Sequence, residues 1–139
     1  MTNRTVVITG GSGKIGHSLV SYFLSKGWTV IATARTEKSL TKLSASVENT
    51  TNLITLTCDF HEQDAGILSE RIYSLGLFPD SLVNNARSIE YLEVSNTGRV
   101  GRDCFIGEFI VDVVAPYELT MALSDFPGSH LKKVVNIGS

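Results

Sequence analysis

Residues 5–20, TVVITGGSGKIGHSLV, decide how the rest of the chain is read. An apolar, β-branched run of strand length at Thr5–Ile8 breaks into four glycines within residues 10–16, and Leu19, Val20, Phe23 and Leu24 then recur at helical spacing. In a strand-turn-helix unit of this kind the first glycine permits a tight turn. The middle one lets backbone approach a pyrophosphate, and the last allows the helix to pack closely on the sheet. Gly10, Gly13 and Gly16 have that spacing, with Ser12, Lys14 and Ile15 between them. The positive end of the helix dipole and its unpaired N–H groups would then hold phosphates without a basic side chain. Glycines also serve ordinary turns, so it is the position after a strand and before an amphipathic helix that points to nucleotide binding. A phosphate loop of the kinase or ATPase kind is disfavoured, because Lys14 is followed by isoleucine where a magnesium-binding Ser or Thr should stand.

Outward from this stretch, strand-length apolar runs alternate with segments of helical period, the pattern of parallel βαβ units. Strands are expected at 5–8, 29–33, 53–57, within DSLVNNA (80–86) and at 133–137. Gly27 is placed to end the helix that carries Leu19 to Leu24, and further helices are expected at 37–46, 65–75 and 105–123. The expected fold is α/β: a Rossmann-type doubly wound parallel sheet of five strands in the order 3-2-1-4-5, forming one dinucleotide-binding domain over residues 1–139. The polar, glycine-bearing stretch 87–108 is expected to be a mobile loop over a site.

Composition describes an ordinary globular protein: 42% apolar, 19% charged, net charge -2. No charge block suggests nucleic acid or a membrane surface, no run reaches the roughly 18 to 20 apolar residues of a membrane span, and a cytoplasmic location is expected. Cys58 and Cys104 lack neighbours at metal-ligand spacing, so no metal is expected. The end of the second strand reads VIATARTEK. An Asp or Glu there would accept from the adenosine ribose of NAD, whereas an Arg would pair with the 2′-phosphate of NADP. Arg35 occupies that place, so NADP is preferred over NAD, with Lys14 as a second positive charge; a solvated surface arginine is the plain alternative.

TGGSGKIG after the first strand, CDF after the third, NNAR after the fourth and VVNIGS at the fifth together resemble the short-chain dehydrogenases/reductases, over essentially the whole chain. The resemblance implies that Asp59, with Phe60 beside it, meets the adenine. It also implies that the segment from Asn84 through Asn85 to Ala86 lines the adenosine ribose and braces the sheet, and that Ser139 is the catalytic serine. Lys14 stands where the main branch has its middle glycine, and Arg87 where glycine is usual, within reach of an anionic substrate or the cofactor phosphates. Asp112 replaces the asparagine that supports the family's proton relay; local pairing on its helix is the alternative. The family's Tyr-x-x-x-Lys pair does not occur in the chain, so the C-terminal part of the family fold is expected to be missing and an apolar face left open.

Two readings follow. One is an NADP-dependent oxidoreductase acting on the carbonyl or secondary alcohol of a small-molecule substrate, inactive in the form given and homo-oligomeric when intact. The loop 87–109 and VAPYELTMAL resemble reductases of surface-glycan and flagellar sugar biosynthesis, implying a nucleotide-sugar or keto-sugar, which Arg87, Arg99 and Arg102 would suit. The other reading is a non-catalytic dinucleotide-binding or sensing module.

Overall fold

A computed structural model describes residues 3–88 and 98–138. Strands β1 (Thr5–Ile8), β2 (Thr29–Ala34), β3 (Leu53–Thr57), β4 (Ser81–Asn84) and β5 (Lys133–Asn136) form one sheet in the order β3-β2-β1-β4-β5, with every pairing parallel. Helices α1 (Lys14–Ser25), α2 (Glu37–Ser46), α3 (Ala65–Ser74), α4 (Arg102–Phe109) and α5 (Ala115–Asp125) make the crossovers. The expected α/β architecture and strand order are those observed.

The period-two alternation of strand side chains divides the core between the two faces of the sheet. Val6 and Ile8 of β1, Val30 and Ala32 of β2 and Val83 of β4 pack with Val20 of α1 and Leu40 and Leu43 of α2. On the other face, Val7, Ile31 and Leu82 meet Leu68 and Ile72 of α3 and Leu119 and Leu123 of α5. Because both faces of the central strands are covered, β1 is buried at every residue, which explains its uninterrupted apolar sequence. Tyr73 extends the second cluster: its ring stacks on Phe126 at 3.7 Å and its hydroxyl donates to the Leu123 carbonyl at 2.6 Å.

Local chemistry sets the helix ends. Thr36 caps α2 by accepting from the Ser39 N–H at 3.2 Å, and Asp64 caps α3 by accepting from Gly66 N–H at 2.7 Å. Gly27, at φ +81°, ends α1 in the left-handed conformation that its position in the sequence suggests.

The stretch expected as one helix at 105–123 is a longer and less regular element. It begins at Arg102, inside the segment read as loop, and α4 passes into α5 through a π-helical turn at Ile110–Val114. Periodicity over residues 105–123 cannot show such a turn, because one extra residue per turn shifts the apolar stripe without ending it. Phe105, Phe109, Val113, Tyr117 and Met121, spaced four apart along this element, are exposed, as are Val134 and Val135 of β5. The open apolar face expected from the sequence is therefore present among the described residues. Residues 89–97 of the expected loop lie outside them.

Candidate active site

The strand order reverses at β1, between β2 and β4, and a crevice opens beyond the carboxyl ends of these strands. The turn leaving β1 is tied down on both sides. Thr9 N–H donates to the Val83 carbonyl at 3.1 Å and Gly11 N–H to the Thr33 carbonyl at 2.8 Å. Gly10 has φ +63°, and a Cβ there would lie 2.8 Å from Ala86 Cα, so the turn both requires glycine and presses on the segment after β4. At Gly16, in the first turn of α1, a Cβ would sit 2.1 Å from the Gly10 carbonyl oxygen and 2.8 Å from Gly11 Cα. The helix thus packs directly on the loop backbone. No side chain caps α1, whose N-cap is the extended Gly13, so the N–H groups of its first turn are left for a ligand or solvent.

The resulting cavity has a volume of ≈ 650 Å³. Gly10, Ser12, Gly13, Lys14, Ile15 and Gly16 form one wall, Arg35 comes from the end of β2, Asp59 and Phe60 follow β3, and Asn85, Ala86 and Arg87 follow β4. Except for Asn84, which turns toward β5, the residues expected from the sequence to meet the cofactor are gathered around one space, together with Thr36, Ser39, His61, Ser88 and Val111, which sequence reasoning did not single out. Four separate strand ends supply them, so only the parallel topology could have brought these residues together on paper.

Asp59 is held by an Asx turn, its Oδ1 accepting from the His61 N–H at 3.0 Å. Beside it, burial pushes the Cys58 thiol up to about 11; the Arg71 charge opposes this and the Asp59 charge adds to it. Arg71 donates to the Thr57 carbonyl and lines, with Arg35, Asp59 and Glu62, a smaller adjoining cavity of ≈ 320 Å³.

Thr9 is the hub that the sequence reading missed. Its Oγ1 accepts from both the Asn85 and Ala86 N–H groups at 3.0 Å, while the Asn85 amide donates to the carbonyls of Thr9 at 3.2 Å and Gly10 at 3.1 Å. A buried threonine directly after a strand and before the first glycine was the available signal. Asn84 faces the other neighbour, donating from Nδ2 to Asn136 Oδ1 at 2.9 Å and so joining β4 to β5. The two asparagines have different jobs: one braces the sheet and the other locks the glycine turn.

At the far end, Val111 of the π turn reaches the cavity, and Asp112 pairs with Glu108. Glu108 is raised above the ordinary carboxylate range, first by desolvation, then by its hydrogen bond to Asp112 and by that residue's charge; Arg87 and His61 act in the opposite sense. Asp112 thus has a local partner on its own helical element. Ser139 lies outside the described residues. Among the described residues no group of three or more His, Cys, Asp or Glu side chains could hold a metal ion. None of their helices is long and apolar enough to cross a membrane.

The family model for short chain dehydrogenase matches residues 4–139. The chain belongs to the short-chain dehydrogenase family. Its membership accounts for the joint presence of the glycine turn, the aspartate after β3 and the Asn-Asn-Ala segment. An NADPH-dependent pterin aldehyde reductase of Arabidopsis thaliana is 36% identical over 87 residues, 62% of this chain and 36% of that protein. Among solved structures, a short-chain dehydrogenase from Streptomyces avermitilis superposes with a TM-score of 0.78 at 24% identity, covering 99% of this chain and 50% of that one. A short-chain dehydrogenase from Escherichia coli CFT073, complexed with NADPH, gives 0.77 at 23% identity, covering 89% of this chain and 53% of the other. At this identity the structures establish the shared fold. The chain spans about a third of the curated relative and about half of these structures.

Family members bind a nicotinamide dinucleotide, and the residues present fit one. Glycine at positions 10 and 16 lets the turn close against the segment after β4 and against α1, while the cavity wall at Gly13 and the uncapped start of α1 offers backbone N–H groups.

Proposed function

We propose that this chain forms the NADP-binding part of an oxidoreductase that interconverts a carbonyl and a secondary alcohol on a small molecule. The observation that carries the cofactor choice is Arg35. It follows β2 directly, at the position where a carboxylate would mark an NAD site, and lines the cavity together with Thr36 and Ser39. A carboxylate at this strand end would accept from a 2′-hydroxyl and repel a 2′-phosphate, whereas a guanidinium and two hydroxyls can all donate to that phosphate. The names of two relatives, one NADPH-dependent and one complexed with NADPH, support the same choice.

In this reading the first turn of α1 and the loop from Ser12 to Gly16 bind the diphosphate, with Lys14 adding charge. Asp59 and Phe60 receive the adenine, and Asn85 and Ala86 the adjoining ribose. When bound, the nicotinamide donates or accepts the hydride. Ser139 would polarise the substrate oxygen. Asp112, through its bond to Glu108, holds the π turn that carries Val111 to the cavity. Arg87, at the same end, favours a substrate with anionic or polar groups; the aldehyde named for the Arabidopsis relative would take up hydride in the same way, giving a primary rather than a secondary alcohol.

The test is a pair of binding titrations. NADPH should bind at least about tenfold more tightly than NADH, a difference of ~1.4 kcal/mol for one charge-assisted contact. Arg35→Ala should remove most of that difference while leaving NADH affinity unchanged. Equal affinities in the parent chain would reject the cofactor assignment.

A further inference from the structure

β3 is an outer strand of the sheet, so backbone groups that face away from β2 have no ladder partner. Cys58 N–H donates to the Ala34 carbonyl at 2.9 Å, which turns Cys58 toward β2 and the preceding residue, Thr57, toward the open edge. There the Thr57 carbonyl accepts from the guanidinium of Arg71, which reaches across from the last turn of α3. Arg71 lines the smaller cavity beside Thr57, Cys58 and Asp59, and Asp59 lines both cavities. The smaller cavity is not an anion site, because Asp59 and Glu62 balance Arg35 and Arg71 in its wall. The visible work of Arg71 is therefore on the strand end.

One residue separates the Thr57 carbonyl from Asp59. Backbone is held at three residues in succession: Thr57 by Arg71, Cys58 by Ala34, and Asp59 by the Asx turn in which its Oδ1 accepts from the His61 N–H at 3.0 Å. The second hold belongs to any parallel strand and the third to any Asx turn, but the first depends on one side chain. With Oδ1 committed to the turn, the direction of Oδ2 is set by the backbone beneath it. A hydrogen bond tolerates only a few tenths of an ångström, so drift of the strand end would carry Oδ2 out of range of a donor in the larger cavity. We propose that Arg71 is a positioning residue for adenine recognition: by holding the Thr57 carbonyl at the sheet edge, it aims the Asp59 carboxylate at the amine of the adenine. The proposal rests on the reading of Asp59 as the adenine contact.

Titrations of the full chain with NADP⁺ and with nicotinamide hypoxanthine dinucleotide phosphate test it. In the hypoxanthine analogue an oxygen replaces the amine and meets Asp59 oxygen to oxygen, so the parent should bind NADP⁺ about tenfold more tightly. Arg71→Met keeps an apolar stem but has no donor; it should shrink the preference to within about twofold, by weakening NADP⁺ and leaving the analogue unchanged. Arg71→Lys, which can still donate to the carbonyl, should keep most of the preference. In an Asp59→Asn background, where the Asx turn retains its acceptor, Arg71→Met should change neither affinity further. A ratio of affinities measured on one sample also cancels any fall in the folded fraction. An unchanged ratio in Arg71→Met, whether or not both nucleotides weaken together, would assign Arg71 to packing alone and overturn the proposal. An additive loss in the Asp59→Asn background would overturn it as well. A parent that binds the two nucleotides alike would instead strike the adenine reading of Asp59, and the proposal with it.

Discussion

Gly16→Ala is the sharpest perturbation of the site, because the geometry around it is made of backbone that has nowhere to go. The added methyl would stand 2.1 Å from the Gly10 carbonyl oxygen, 2.8 Å from Gly11 Cα and 2.9 Å from Gly10 C. To reach ordinary van der Waals separation the helix must retreat from the turn by roughly 1 Å, which forfeits close contacts along the α1 interface. Val20, fully buried one turn further on, moves with it. Overpacking of this kind costs about 3 kcal/mol, at the upper end of the usual range. For a chain of 139 residues that corresponds to a fall in Tm of roughly 10 °C. Gly13→Ala is the control. There the nearest atom to a new Cβ is the Gly10 oxygen at 3.4 Å, and the backbone, at φ -73° and ψ 173°, is open to any residue. Gly13→Ala should keep its Tm to within roughly 2 °C, as a substitution with no steric conflict does. It should still bind NADPH less well, since the methyl occupies space next to the phosphate cradle. Thermal melts monitored by circular dichroism, with NADPH titrations on the same samples, read both quantities. Equal Tm values for the two variants would refute the claim that α1 packs directly on the loop backbone.

Two further outcomes follow from the network around the site. Thr9→Val removes the acceptor shared by the Asn85 and Ala86 N–H groups, and leaving buried donors unpaired costs about 2 kcal/mol; chemical denaturation should show that loss, and NADPH affinity should fall as the segment after β4 drifts from the glycine turn. Glu118 of α5 faces the cap residue Asp64 and is raised above the ordinary carboxylate range, by desolvation first and then by its hydrogen bond to Asp64 and by the Asp64 charge, against a weaker lowering from the Ala65 backbone. A carboxyl raised on folding contributes stability that is complete below its unfolded value and is lost as pH rises through the folded one. Glu118→Gln should therefore raise the Tm at pH 7 and match the parent near pH 4; a uniform shift at both would contradict the pairing.

The parallel sheet was legible because each strand announces itself by apolar, β-branched runs, and the buried Thr5–Ile8 is the clearest of them. The glycine spacing located the cradle, since only a close approach explains glycine at 16, and the absence of an acid at the end of β2 pointed to Arg35. What the residues could not reveal was joint geometry. The π turn at 110–114 leaves the apolar period nearly intact, so a single helix was the natural reading. Thr9 looked like the tail of a strand, although it holds the two halves of the site together. Arg71 gave no signal at all, because an edge carbonyl in need of a donor exists only once the strand has taken its place in the sheet.

A crystal structure of the chain with NADP⁺ tests the central claim most directly. The account predicts diphosphate oxygens within hydrogen-bonding distance of backbone N–H groups between Ser12 and Gly16, and the 2′-phosphate against Arg35. A dinucleotide bound elsewhere, or one whose diphosphate is held only by side chains while the α1 amides face water, would contradict it.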